Sequence, residues 1–295
     1  MRGGTPVVTR GLGHLWGFVA ALVLASVCPV SADPPRRIVS VNITSDEILL
    51  ALVPERLVAV SVLADDADIS CVVREARLVP RRVKAETEQI FDLRPDLVVI
   101  GGHSAHVASQ LERLGVRVIR IQGFESFEWI EGLIRTLGGA VGARPRAEEL
   151  IGTMRGRLDA VRQRVTGRQR PRVLSYTPGG GTSGRRTTFD DVVRAAGGEN
   201  VATRLGISGW KRLSLEHVLD ADPDVVVMSA SQRRAPGFHA ELLGHPALRE
   251  VRALREGRVY RLPGRLMVTS SHHIVETVEA LARELHPDAF AQTVR

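Results

Sequence analysis

The phrase EQIFDLRPDLVVI at residues 88–100 returns at residues 216–228 as EHVLDADPDVVVM. Both copies open on a glutamate, Glu88 and Glu216. Both reach Pro-Asp seven positions later, at Pro95-Asp96 and Pro223-Asp224, and then run into aliphatic residues. Between these points lie the apolar residues Ile90 and Leu93 in the first copy, three apart as in a helical turn, and Val218 and Leu219 in the second. Proline cannot continue a helix and pushes its predecessor out of the right-handed helical region. The aliphatic runs are short and largely β-branched, as expected of a strand covered on both faces. Each copy therefore reads as helix, proline stop and buried parallel strand. Two copies predict two similar α/β lobes. One larger α/β domain that uses the same connection twice is the alternative.

The flanking sequence alternates in the same way. Strands are expected at residues 37–43 and 56–63, with Thr44-Ser45-Asp46-Glu47 as a capping box starting a helix through Leu52. Residues 65–79 read as irregular or helical. Helix is expected at 105–114, strand at 117–121 and helix at 127–140. In the second half, strand is expected at 172–176, helix at 188–196, helix at 245–254, strand at 258–262 and helix at 274–285. Strands alternating with helices imply parallel pairing.

Residues 145–165 differ. Ala147, Leu150, Ile151, Met154, Leu158, Val161 and Val165 recur at steps of three and four among charged and polar residues. That is one long amphipathic helix, with Pro145 tolerated in its first turn. Lying between the two copies of the repeat, it reads as a connector. The expected organisation is a leader at 1–32, an N-terminal α/β lobe at 33–141, a connecting helix at 142–167 and a C-terminal α/β lobe at 168–295.

Arg2 and Arg10 precede a nearly unbroken apolar run at 16–30, too short to span a membrane comfortably, and Val30-Ser31-Ala32 has the small residues of a cleavage site. The expected product is exported and cut after Ala32. Lipid attachment at Cys28 is the lesser alternative, because Val27 stands where a small residue is wanted. Removing Arg2 and Arg10 lowers the formal charge from +7 to +5 and leaves Cys71 as the sole cysteine, so no intrachain disulfide can form. The arginines are dispersed, without aromatics interleaved among blocks of cations, which argues against nucleic acid as a partner.

GGGTSG at residues 179–184 has dinucleotide-fingerprint spacing, but Arg185-Arg186 intervene before the helix and no acidic residue closes a second strand nearby. It is expected to be a flexible loop instead. No Gly-x-Ser-x-Gly elbow or His-Glu-x-x-His occurs. A binding protein is therefore expected rather than an enzyme, with a periplasmic enzyme as the distant alternative.

Taken in order, NITSDEILLAL, EQIFDLRPDLVVI, TTFDDVVRAAGGENVA, LSLEHVLDADPDVVVM and ALREGRVYRLP resemble the periplasmic solute-binding proteins of ABC importers for vitamin B12, ferric siderophores and haem. The likeness covers essentially the whole chain after the leader. It implies two Rossmann-like α/β lobes with mainly parallel sheets, bridged by one long helix, with the ligand held between them. It also implies a monomer that captures a metal chelate (ferric siderophore or cobalamin, with haem as the alternative) and passes it to an inner-membrane ABC permease. No resident cofactor is expected, although the ligand itself contains iron or cobalt. A surface Glu on each lobe pairs with permease arginines in that family, and the matching positions are Glu88 and Glu216.

Ligands of open parallel sheets bind beyond the carboxyl ends of the strands. That rule nominates Asn42, His103, Tyr176, Arg185, Arg186 and Arg265, with Trp210 and Lys211 in the loop before the second phrase. Arg185, Arg186 and Lys211 suit an anionic chelate. His103, with His106 three positions on and Tyr176 opposing it, suits a metal or haem. His272-His273 reads as a structural pair.

Overall fold

The computed structural model describes residues 33–123, 125–231 and 237–291. The expected leader at 1–32, Cys28 included, lies outside the described residues. Five strands, β1 (Ile38–Ser40), β2 (Leu57–Ser61), β3 (Arg81–Val83), β4 (Leu97–Gly101) and β5 (Val118–Ile121), form one sheet in the order β3-β2-β1-β4-β5. Every pairing in it is parallel. In the second half, β6 (Arg172–Ser175), β8 (Glu199–Asn200), β10 (Val225–Ser229) and β11 (Val259–Leu262) form another parallel sheet, ordered β11-β10-β6-β8. Between them in sequence, β7 (Gly181–Ser183) and β9 (Trp210–Arg212) make a separate antiparallel ribbon.

The repeated phrase occupies the same place twice. Its helices are Thr87–Phe91 and Leu215–Ala221, and its strands are β4 and β10. Each of these strands lies beside the first strand of its lobe. The residue before each proline is left-handed, with φ of 47° at Arg94 and 38° at Asp222, so the chain leaves the helix through a sharp stop. The following aspartate then fastens the sheet. Asp96 accepts the backbone N–H groups of Arg36 and Arg37, while the Arg37 guanidinium bonds the helix-end carbonyls of Leu93 and Arg94. Asp224 accepts the N–H of Arg172, whose guanidinium bonds the carbonyls of Ala221 and Asp222.

One helix, Arg144–Val165, runs between the lobes. It buries Ala147, Ile151, Met154, Leu158, Val161 and Val165 in a single apolar cluster that also holds Leu97 and Ile134 of the first lobe and Val225 and Leu281 of the second. Leu150 packs at the edge of that cluster. A fully buried aliphatic side chain is worth roughly 1.5–3 kcal/mol, so this stripe is the main apolar bond between the halves. Arg155 pairs with Glu131 of the helix Phe127–Ala140, and Arg157 with Glu279 of the helix Ile274–Leu285 at 2.9 Å.

Four expectations are corrected. The first helix, Ile43–Leu52, is capped by Asn42, whose side chain accepts the Thr44 N–H. Thr44 to Glu47 form no capping box: all four are buried, and the Asp46 and Glu47 carboxylates are spent on tertiary hydrogen bonds. Strand β2 stops at Ser61, and Val62–Asp65 turns into a 3-10 helix. The glycine-rich loop is partly strand, and Trp210-Lys211 lies on the strand that pairs with it rather than in a loop. Residues 245–254 are not one helix: Pro246–Glu250 is 3-10 and Arg252–Arg255 is a single α-turn.

Candidate functional site

The polar contacts that join the lobes come from segments just beyond the carboxyl ends of strands. From the first lobe they are Glu47, Asp68, Glu125 and Phe127; from the second, Arg186, Asp191, Ser231, Thr269 and Ser271. Glu47 Oε2 accepts from Thr269 Oγ1 at 2.9 Å and Ser271 Oγ at 2.5 Å. Asp68 accepts from Ser231 Oγ at 3.0 Å, and Asp191 from the Phe127 N–H at 2.8 Å. Arg186 pairs with Glu125 at 3.1 Å. The carboxyl ends of the two sheets therefore face each other, which is the arrangement in which such sheets hold ligands.

On the first lobe, Asn42 and His103 converge on Gly101. A Cβ added to Gly101 would lie 2.7 Å from His103 Cε1 and 3.0 Å from Asn42 Nδ2. The bare backbone lets the exposed His103 ring rest against the strand end. Asn42 is half-buried, its carbonyl oxygen spent on the helix cap. Beside them, the Trp129 indole donates to the Gln122 carbonyl at 2.9 Å. His106 is exposed and joins no group of three or more metal-ligating side chains among the described residues.

The second lobe carries the antiparallel ribbon β7–β9, which follows the end of β6. Gly180 has φ of 83°, and a Cβ there would strike the Leu213 carbonyl at 2.8 Å; one on Gly184 would strike the Ile207 carbonyl at 2.2 Å. The glycines thus serve close backbone packing, not phosphate binding. Trp210, Lys211 and Arg212 are all exposed, Trp210 at 67%. Period-two alternation puts Trp210 and Arg212 on one face and Lys211 on the other. Arg185 is exposed and bridges to Ser208 through its backbone.

Tyr176 is 6% exposed and packs with Phe238, ring centroids 6.3 Å apart. The pair lines a 330 Å³ cavity with Gly180, Leu213 and His245. Burial raises the Tyr176 pKa, which keeps the phenol protonated. Arg265 is half-buried on the short helix Gly264–Val268.

The buried groups at this junction are the ones sequence reasoning missed. Asp46 is fully buried and its pKa is pushed up to about 7. Desolvation drives the rise and overcomes the bonds from Ser40 and Ser61 that oppose it. Burial likewise raises the Cys71 thiol. The His272 and His273 rings lie tilted against each other, centroids 4.1 Å apart, and burial lowers the His272 pKa to about 3. His273 in turn bonds Glu276 at 2.7 Å. The only sequence signal for Asp46 and Glu47 was the polar run after the first strand, which reads equally well as a solvated helix start. Glu88 and Glu216 are both exposed in the first turns of equivalent helices, and neither forms an ion pair among the described residues.

Comparisons agree with this geometry. The sequence profile described as "periplasmic binding protein" matches residues 38–266. An uncharacterized ABC transporter substrate-binding lipoprotein of Bacillus subtilis (strain 168) is 25% identical over 88% of this chain and 82% of its own. A cobalamin-binding protein of Halobacterium salinarum (strain ATCC 29341 / DSM 671 / R1) is 27% identical over 69% of this chain, which spans 56% of that longer protein. Among solved structures, the periplasmic heme-binding protein of Roseiflexus sp. RS-1 in apo form superposes with a TM-score of 0.72 at 26% identity, over 88% of this chain and all of that one. With two facing parallel sheets, one bridging helix and a profile match across most of its length, this chain belongs to the periplasmic binding protein family.

Proposed function

We propose that this chain is the exported substrate-capturing component of an ABC importer, which takes a metal chelate between its lobes and delivers it to an inner-membrane permease. The observation that carries the reading is the pair of facing strand ends, with exposed second-lobe cations at Arg185 and Lys211. Such cations favour a chelate bearing carboxylate, catecholate or phosphate groups, as ferric siderophores and cobalamin do. Trp210 supplies one apolar face for a planar part of the ligand. Glu88 and Glu216, equivalent and exposed on the two lobes, are the proposed permease contacts.

Haem is the second reading. It rests on the exposed His103 imidazole beside Gly101, a free axial donor at the strand end. Tyr176 packs against Phe238 and is mostly buried, and the exposed second-lobe cations favour the chelate reading. Differential scanning fluorimetry of the protein with cyanocobalamin, haemin, a ferric catecholate and a ferric hydroxamate tests both. A ligand at one hundred times its dissociation constant adds about 2.7 kcal/mol. Stabilisation by haemin alone would favour the second reading. Stabilisation by none of the four, or a ligand recovered chemically altered, would overturn the transport reading.

A further inference from the structure

Glu47 is 1% exposed, yet it is the side chain through which the first lobe grips the second most fully. Its Oε1 accepts the Cys71 N–H at 3.0 Å, within its own lobe. Its Oε2 takes the hydroxyls of Thr269 and Ser271 from the other lobe. Those two residues are 4% and 0% exposed. Asp46, the neighbouring buried acid, spends its carboxyl on Ser61 inside the first lobe, so it takes no part in the crossing.

Thr269 is also the C-cap of the helix Gly264–Val268, which carries Arg265. The opposite end of that helix is equally constrained. A Cβ on Gly264 would meet the Asp68 carbonyl at 2.6 Å, and Asp68 also bonds Ser231. Between the two ends, the Thr277 hydroxyl donates to the Leu266 carbonyl at 2.7 Å. We propose that Glu47 is a positioning residue, a cross-lobe clasp that sets the width of the cleft and holds the Arg265 helix at the junction before any ligand arrives. The service to Arg265 rests on the capture reading; the clasp itself does not.

The physical case is the contrast between the two sides of the junction. On the Glu47 side the polar groups are sealed from water, so opening would strand buried donors and acceptors without partners. On the other side Arg186 and Glu125 are 72% and 54% exposed, an exposed pair that contributes little, and the one further bond, from the Phe127 N–H to Asp191, is only part-buried. The lobes therefore part, if at all, at the Arg186–Glu125 rim, pivoting on the Glu47 seam.

Spin labels carried on unnatural amino acids at Arg113 and Arg249, exposed on the first and second lobes, read the interlobe distance in the ligand-free protein. Wild type and Thr269→Ser, which keeps the hydroxyl, are expected to give one narrow distance. Thr269→Val with Ser271→Ala is expected to broaden and lengthen it. Amide exchange across residues 264–273 should accelerate at least tenfold in that double variant, with β1 and β4 unchanged. A folded double variant with unaltered distance and exchange would overturn the clasp, as would a broad distribution already present in wild type. Loss of protection throughout both lobes would also overturn it, since that outcome marks a general core residue. Glu47→Ala is a second route to the same comparison, and the hydroxyl variants decide alone if it does not fold. Because no ligand is added, this result stands apart from success or failure in the chelate screen.

Discussion

The Asp224 carboxyl accepts hydrogen bonds from both the backbone N–H and the guanidinium of Arg172, fixing the start of β6 against β10 with one side chain. Asp96 plays the same part for Arg37, but through backbone donors alone and at an exposed site. Asp224 is 9% exposed and also receives Arg252. Removing a buried acceptor leaves charged donors unsatisfied, whereas water replaces an exposed one. Asp224→Ala is thus expected to cost about 3 kcal/mol and Asp96→Ala about 1 kcal/mol, read as shifts of the urea midpoint at constant slope. Equal costs would contradict the burial argument.

Asp46 gives a pH signature. Its folded-state pKa of about 7 lies above the ordinary carboxyl value of 3.8. A group raised in this way adds stability that is fully present below about pH 4 and is lost as pH rises through about 7. Asp46→Asn removes the titration. The stability of wild type relative to this variant should fall from pH 4 to 7 and level off above, by an amount on the order of a few kcal/mol. His272, held at a pKa of about 3, acts in the opposite direction, because its contribution is lost as pH falls from 6.5 to 3. Only the difference between wild type and Asp46→Asn isolates the acid, and a difference that does not change with pH would refute its buried protonation.

The second-lobe cations differ in availability. Arg186 is already matched by Glu125, while Arg185 and Lys211 have no ion-pair partner among the described residues. Replacing Arg185 and Lys211 together by Ala is expected to weaken an anionic chelate by about 1.5–3 kcal/mol for each charge-assisted hydrogen bond lost. Arg186→Ala should weaken it less. Titration calorimetry with the chelate that gives the largest thermal shift makes the comparison, and a larger effect from Arg186 would reverse the assignment.

Glu88 and Glu216 stand at the second position of equivalent helices, where an acid also suits the helix dipole. The docking proposal and the dipole explanation separate on mutation. Glu88→Ala with Glu216→Ala should leave chelate affinity and the melting temperature nearly unchanged while slowing uptake by cells that carry the permease, since interface charges guide encounter and register. Normal uptake by the double variant would reduce both residues to helix-start acids.

Regular elements were legible wherever one physical signal dominated. The helices Phe127–Ala140 and Ile274–Leu285 match their sequence expectations residue for residue, because apolar spacing alone sets them. Strands β4 and β10 were legible from their unbroken aliphatic runs. The cap at Asn42 was not, because Thr44 to Glu47 carry a stronger local capping pattern that tertiary burial overrides. Nor was the ribbon β7–β9: its glycines read as loop, and its pairing joins residues about thirty apart (Gly181 with Arg212). Among the site residues, Asn42 and His103 lie together beside Gly101, as neighbours of one strand end; the packing of Tyr176 on Phe238 was not legible, since where a side chain points depends on the neighbour it packs against.

The apolar stripe of the helix Arg144–Val165 carries one last consequence. Its side chains complete one shared cluster spanning both halves, while each half keeps a second, smaller cluster of its own. Heating should give a single calorimetric peak whose van't Hoff and measured enthalpies agree, as for one small domain. Fragments 33–141 and 168–295 expressed separately should collapse or aggregate, each lacking a wall. A chain whose halves still read as duplicates has in this sense lost the ability to be divided.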